Sequence, residues 1–200
     1  MPKLHLHIAE HVQGQFSTKG LNLLLIFQVN CPGCFMYALP VFGKLYELYS
    51  DRIGFMALST AFEDYEYNNL ENTQLLLTKG TLVGETKKAF GSRDLHQLPY
   101  LIKSPVAMDA TMIADDQELL ITYICHTDPN FELLSEIDKS SVKSRVRSYL
   151  NKQETVSMTF TANQFRGTPT IVLYDQDHKI VDSWFGHVPI ERIIDTIENS

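Results

Sequence analysis

Two cysteines, Cys31 and Cys34, flank a Pro-Gly pair directly after a run of apolar residues. From Phe35 onward the apolar residues recur every three or four positions, which predicts a helix. Cys31 is therefore expected where free backbone N–H groups and the helix dipole favour a thiolate. Cys34 follows one turn later on the same face. This spacing predicts a redox dithiol, in which Cys31 attacks a disulfide and Cys34 resolves the mixed disulfide.

A pair of closely spaced cysteines can also form half of a zinc site. The only other cysteine, Cys125, is followed by His126, so Cys31, Cys34, Cys125 and His126 form an alternative zinc site. Three histidines near the N-terminus are a second candidate metal site, against the simpler interpretation of an exposed strand face: His5, His7 and His11. The dithiol's place at a strand end favours redox chemistry without a metal, and Cys125 is expected to be a buried small apolar residue.

The elements that must position the dithiol can be predicted from periodicity. Residues 23–27 are continuously apolar, as in a central strand buried on both faces. A helix is predicted over 32–50, with a kink at Pro40, and a second strand over 53–59. Together they predict a right-handed parallel βαβ unit.

The patterns elsewhere predict a further set of elements. They are a strand over 4–8, helical residues 70–90 with breaks at Gly80 and Gly84, a strand or buried helix over 119–125, a helix over 132–152 with a basic face, a β-hairpin over 170–185 and a helix over 190–198.

Composition limits the class of protein. The chain has 200 residues, 44% hydrophobic and 20% charged, which is typical of a globular domain. A net charge of −7 argues against nucleic-acid or anionic-membrane binding. No apolar run is long enough to span a bilayer, and no signal peptide is visible. The expected location is therefore the cytoplasm, or the periplasm if a targeting segment has been removed.

A second motif precedes the predicted hairpin: Gly167, Thr168 and Pro169. Together with the CPGC sequence between strand and helix, and Pro40 in that helix, it resembles the thioredoxin superfamily, in its TlpA-like and redoxin branch of thiol-disulfide oxidoreductases. The resemblance implies an α/β thioredoxin-like fold, with a central mixed β-sheet flanked by helices. It also implies a cis peptide bond before Pro169, which with Thr168 would face the cysteines and position the substrate.

The sequence departs from that family at several positions. Asn30 stands where an aromatic residue is usual, Leu25 where thioredoxin has a buried acid, and Tyr37 where many TlpA-like proteins have a Glu. No buried carboxylate is evident that would assist Cys34. Residues 66–155 exceed the family's minimal connection, and we interpret them as a mostly helical insertion within a single domain, residues 1–200. This insertion would form either a lid or partner groove, or passive bulk.

The predicted function is that of a thiol-disulfide oxidoreductase, acting as a reductase of protein disulfides. Cys31 and Cys34 would be catalytic, with Pro32, Gly33 and Gly167 supporting the motifs. No organic cofactor or metal is required; the partners are a protein or small-molecule disulfide and an upstream thiol reductant. Two alternatives are a peroxiredoxin-like peroxidase, although residues 27–30 lack the expected Thr and Pro, and a non-catalytic binding module.

Overall fold

The sheet has six strands in the spatial order β1-β4-β3-β2-β5-β6. A computed structural model describes residues 2–113, 116–153 and 155–200. The strands β2, β3 and β4 are parallel, and β1, β5 and β6 pair antiparallel to their neighbours. The strand bounds are β1 Ile8–Gln13, β2 Leu21–Phe27, β3 Gly54–Ser59, β4 Val106–Asp109, β5 Thr170–Asp175 and β6 Ile180–Phe185.

Seven helices accompany this sheet in the part of the chain that the structure describes. Their bounds are α1 Leu39–Tyr49, α2 Leu70–Lys79, α3 Gly84–Gly91, α4 Gln117–His126, α5 Glu136–Leu150, α6 Met158–Ala162 and α7 Ile190–Glu198. A π-helical turn, Cys34–Ala38, precedes α1.

The strand that leads to the dithiol, β2, is the centre of the molecule. Its apolar side chains alternate between the two faces of the sheet. Leu23 and Leu25 pack into a core with α1 and α7, whereas Leu24 and Ile26 pack into a second core on the opposite face. All four are fully buried. Since both faces are covered, the register of β2 is firmly specified, and so is the position of the residues that follow it.

The strand predicted over residues 4–8 is wrong, because β1 begins only at Ile8. The backbone N–H and C=O of His5 bond to the Asn163 side chain, and those of His7 bond to the Thr159 hydroxyl. Side chains thus take these bonds in place of a regular strand ladder, and the His7 carbonyl also accepts from the Ala110 N–H. The His5 ring is not on an exposed face either, since it stacks on Tyr123 with ring centroids 3.8 Å apart.

Strand β4 was not predicted. It has only four residues, all buried, and it pairs with β3 inside the segment interpreted as an insertion. Its shortness left no periodic signal. The segment is otherwise mostly helical, as predicted. Helices α2 and α3 are separated at Gly80–Gly84, and residues 119–125 lie within helix α4. Helices α4 and α5 share a third apolar cluster with α6, which follows the segment. None of the helices that the structure describes is long and apolar enough to cross a membrane.

Candidate active site

The dithiol lies where the segment after β2 enters the helix: Cys31 precedes the π-helical turn, and Cys34 is its first residue. The Sγ of Cys31 accepts a hydrogen bond from the backbone N–H of Cys34 at 3.2 Å, and the Cys31 carbonyl accepts from the same N–H at 3.0 Å. Cys31 is partly exposed, whereas Cys34 is fully buried. The sulfur that solvent can reach is therefore the first one.

The two thiols have opposite acidities. The pKa of Cys31 is lowered to about 7, mainly by a hydrogen bond from the Cys34 thiol, against the opposing effect of burial and with help from Thr168 and from the backbone of Cys34 and Gly33. The pKa of Cys34 is raised well above its ordinary value by burial and then by the neighbouring Cys31 sulfur. At neutral pH one sulfur is thus available as a nucleophile, while the other keeps its proton.

The Thr168–Pro169 peptide bond is cis, as the family resemblance implied. The thiol of Cys31 donates to the Thr168 carbonyl across 3.7 Å. Gly33 faces the proline closely, because a Cβ built on Gly33 would lie 4.0 Å from Pro169 Cδ. A Cβ on Gly167 would lie 2.9 Å from the Phe185 ring, so this position accepts no larger residue without movement. The fold thus brings the CPGC turn and the Gly-Thr-Pro turn together.

The predicted kink at Pro40 takes the form of the π-helical turn. Within this turn the Leu39 N–H donates to the Cys34 carbonyl, five residues back. Pro40 has no N–H to give to the next carbonyl, that of Phe35. The hydroxyl of Tyr100 donates to the Phe35 carbonyl instead, at 2.5 Å. Tyr100, from the insertion, therefore completes the hydrogen bonding of the active-site helix.

Gln28 is a candidate site residue that was not predicted from the sequence. Its side chain is 2% exposed, and its Oε1 accepts a hydrogen bond from the Thr168 hydroxyl at 3.0 Å. Its Nε2 is buried without a hydrogen-bond partner among the described residues. The bond holds the Gly-Thr-Pro turn against the end of β2. A polar residue directly after an apolar strand was the available signal.

Asn30, which replaces the family's usual aromatic residue, links the dithiol loop to the insertion. Its Oδ1 accepts from the Glu85 N–H at 2.6 Å, and its Nδ2 donates to Asp64 at 2.8 Å. Helix α3 has no side-chain cap of its own, so Asn30 caps it from another part of the chain. Gly84 permits this approach, since a Cβ there would lie 2.1 Å from the Asn30 Oδ1.

A buried carboxylate does exist, but it serves another part of the fold. Asp109 accepts hydrogen bonds from the Thr60 hydroxyl and from the backbone N–H groups of Thr159 and Phe160. Burial nevertheless raises its pKa to about 6. None of these partners belongs to the dithiol or to the Gly-Thr-Pro turn.

The other two positions of departure from the family also have structural roles. Leu25 is part of the core beneath α1. The half-exposed ring of Tyr37 packs against the ring of His187, with centroids 5.0 Å apart.

The alternative zinc site is not assembled. Cys125 belongs to the apolar cluster under α4 and α5, which is separate from the core that contains Cys34. The ring of His126 bonds to Glu132 and to the Thr122 carbonyl. Among the described residues no group of three or more His, Cys, Asp or Glu side chains is arranged to hold a metal ion. Cys125 is 3% exposed, in agreement with the prediction of a buried apolar role.

Comparison with solved structures identifies the fold. A thiol-disulfide isomerase from Corynebacterium glutamicum superimposes with a TM-score of 0.59 at 19% sequence identity, covering 99% of this chain and 94% of the other. A thioredoxin-like superfamily protein superimposes with a TM-score of 0.60 at 18% identity, covering 100% of this chain and 96% of the other. No protein-family model matches the sequence, and no curated protein matches it.

The chain therefore has the thioredoxin-like fold, and the resemblance seen in the sequence is confirmed at that level. The similarity extends over nearly the full length of both chains, so the segment between β3 and the Gly-Thr-Pro turn falls within the compared region.

Proposed function

We propose that the chain is a thiol-disulfide oxidoreductase that reduces protein disulfides with Cys31 and Cys34. The observation that supports this proposal best is the asymmetry of the pair. Cys31 is partly exposed, and its pKa is lowered to about 7, whereas Cys34 is buried and its pKa is raised. This is the arrangement that a nucleophilic thiol and a resolving thiol require.

The proposed reaction has two exchange steps. The Cys31 thiolate attacks one sulfur of the substrate disulfide, a mixed disulfide forms, and the other substrate sulfur leaves as a thiolate. Cys34 then attacks the Cys31 Sγ, the mixed disulfide breaks, and the remaining substrate sulfur leaves and takes up the Cys34 proton. Two electrons have passed to the substrate, and the Cys31–Cys34 disulfide must be reduced by an external thiol.

The order of these steps follows from the electrostatics of the pair. The negative charge on Cys31 is one of the causes that raise the pKa of Cys34. Once Cys31 is part of a mixed disulfide it carries no charge, so this cause disappears and Cys34 becomes more acidic. Formation of the intermediate thus promotes the deprotonation of the resolving thiol without a nearby carboxylate.

The Thr168–Pro169 turn would hold the substrate next to Cys31. Its carbonyl already lies within hydrogen-bonding distance of the Cys31 sulfur, and an extended substrate segment could pair with this backbone. The proposed compartment is the cytoplasm, where thiol systems would keep the couple reduced. No cofactor beyond the two sulfurs enters the proposed reaction.

The test is insulin reduction with a chemical dithiol as the electron source. We expect Cys31→Ser to abolish activity and Cys34→Ser to accumulate mixed disulfides with the substrate. Cys125→Ala is the matched control and should retain full activity, because Cys125 lies in a separate cluster. Equal activity of Cys31→Ser and the unaltered protein would overturn the proposal.

Whether the dithiol reduces or oxidises its substrate is tested by measuring the reduction potential of the Cys31–Cys34 couple. A reductase should have a potential near that of thioredoxin, about −270 mV. A value more than about 100 mV higher would indicate an oxidant or isomerase, as in a strongly oxidising dithiol protein.

A further inference from the structure

A groove of about 660 Å³ lies beside the Gly-Thr-Pro turn. Its walls are the loop of residues 163–166, the strand β6, the start of α7 and the segment of residues 2–3. The largest exposed apolar side chain on its wall is Phe185, which is 52% exposed. The groove therefore combines apolar surface with polar walls on one side of the dithiol.

The groove is basic in an acidic protein. Lys3, Arg166 and Arg192 line it, together with His187, and none of the described lining residues is Asp or Glu. The three cations form no ion pair among the described residues. The chain as a whole carries a net charge of −7. This local reversal of sign favours an anionic occupant.

The start of α7 adds to this positive potential. The helix begins after Pro189, which lines the groove and offers no side-chain cap to the first N–H groups. The positive end of the helix dipole therefore lies at the groove. Glu191, in the first turn, is the nearest acidic residue in sequence, and it is not among the lining residues.

The groove adjoins the candidate active site through the residues on either side of the Gly-Thr-Pro turn, although Cys31, Thr168 and Pro169 do not themselves line it. Arg166 and Thr170 both line it, and they bracket the turn whose Thr168 carbonyl contacts Cys31. The Arg166 guanidinium lies 5.8 Å from the centre of the Phe185 ring, and Phe185 in turn limits the space at Gly167. A chain whose disulfide reaches Cys31 would therefore have its flanking residues next to Arg166 and Phe185.

The exposed edge of β6 beside the groove favours a polypeptide over a small anion as the ligand. Strand β6 is an edge of the sheet, and Ile180 N–H at its beginning donates to the Pro2 carbonyl. Among the described residues, 181–185 have no strand partner on this side, and the Ser183 N–H is bonded to the Asp182 Oδ1. An extended segment can use such an edge, and its apolar side chains can contact Phe185.

We propose that this groove selects disulfide-bearing polypeptides whose disulfide is flanked by an acidic, extended segment. This inference rests on the proposed function, because it names the substrate class of the same dithiol. Arg166 and Arg192 would be specificity-determining residues: they attract the acidic flank and raise the rate of productive encounter, while the exchange chemistry stays at Cys31.

The experiment uses three synthetic peptides that share one intramolecular disulfide loop and differ only in a flanking segment rich in Glu, Gln or Lys. The second-order rate of peptide reduction by the reduced full-length chain is measured for each. We expect the Glu-rich peptide to react about tenfold faster than the Gln-rich one at low ionic strength, within the range of electrostatic steering. The advantage should nearly vanish at about 1 M salt, where the Debye length is about 3 Å.

The test variant is Arg166→Glu/Arg192→Glu. The control is Arg145→Glu/Lys152→Glu, which lowers the net charge by the same amount in α5 and in the turn that follows it, at residues that do not line the groove. The groove variant should lose the preference for the Glu-rich peptide, so that it reduces the Glu-rich peptide no faster than the Gln-rich one. The control should keep the preference.

Each outcome supports or overturns a defined statement. Equal rates for all three peptides, or equal losses in the two variants, would overturn the acidic selectivity while leaving the dithiol chemistry intact. A charge effect confined to glutathione disulfide, tested as a small anionic probe, would show a small-anion site and overturn the polypeptide assignment. Failure to reduce any of the probes would instead overturn the proposed function itself.

Discussion

The acidity of Cys31 can be traced to one donor, and that donor can be removed. The largest cause of its lowered pKa is the hydrogen bond from the Cys34 thiol, followed, after the opposing effect of burial, by Thr168 and two backbone groups. Cys34→Ala deletes this donor, whereas Cys34→Ser keeps a hydroxyl donor at the same place. We therefore expect the Ala variant to raise the pKa of Cys31, and the Ser variant to leave it nearly unchanged.

The magnitude follows from the contacts that remain. A shift from the ordinary value of 9.0 to about 7 corresponds to about 2.7 kcal/mol of preferential stabilisation of the thiolate. The backbone N–H of Cys34, 3.2 Å from the Cys31 sulfur, survives in the Ala variant. We expect the loss of the thiol donor alone to raise the pKa by about one unit, which lowers the thiolate fraction at pH 7 from about one half to about one tenth.

The assay is the ultraviolet absorbance of the thiolate as a function of pH, in a Cys125→Ala background. Alkylation by iodoacetamide, followed by mass spectrometry, assigns the titration to Cys31. The midpoint is the decisive quantity, because intrinsic nucleophilicity rises with pKa and partly hides the change in rate. The same midpoint in the Ala variant and the parent, or equal shifts in the Ala and Ser variants, would refute the reasoning.

Three other predictions concern the residues around the dithiol. Tyr100→Phe should lower the free energy of unfolding by about 1–3 kcal/mol, because the Phe35 carbonyl loses its donor; urea unfolding measures this, with the exposed Tyr149→Phe as control. Asn30→Ala should lower stability by about 1 kcal/mol and speed hydrogen exchange at the start of α3, which loses its cap; unchanged exchange there would contradict the linking role. The pKa of Asp109 is raised from 3.8 to about 6, so its contribution to stability is complete below pH 4 and is lost as the pH rises through 6. Relative to the Asp109→Asn variant, the free energy of unfolding of the parent should fall by up to about 3 kcal/mol between about pH 4 and pH 7. If the difference in unfolding free energy between the two proteins stays constant with pH, the carboxyl does not titrate in this range.

The sequence was sufficient to predict those elements whose pattern lies within one short stretch of the chain. The apolar run before the dithiol predicts β2, and the helical spacing after it predicts the active-site helix. The hairpin and the terminal helix were predicted within a residue or so for the same reason. The two cysteines and the Thr-Pro pair could be identified as site residues because their spacing carries chemical meaning on its own.

Other features depend on contacts between distant parts of the chain, and no local pattern reveals them. Strand β4 is too short to show a period, and its residues become a strand because β1 and β3 provide partners on its two sides. The alternation at residues 4–8 suggested a strand, but the side chains of Thr159 and Asn163 take the backbone bonds. Their pairing could not be read from either segment alone.

The candidate site also combines features set by local sequence with features set by contacts between distant segments. The sequence by itself predicted which atoms would carry the proposed chemistry, because a dithiol at a helix start needs only four consecutive residues. Only the tertiary structure decided which sulfur is exposed, how acidic it is and what surrounds it. Burial of Cys34, the bond between Gln28 and Thr168, and the basic groove all arise from segments more than a hundred residues apart. Acidity and selectivity depend on distance and desolvation, and those quantities exist only in the folded chain.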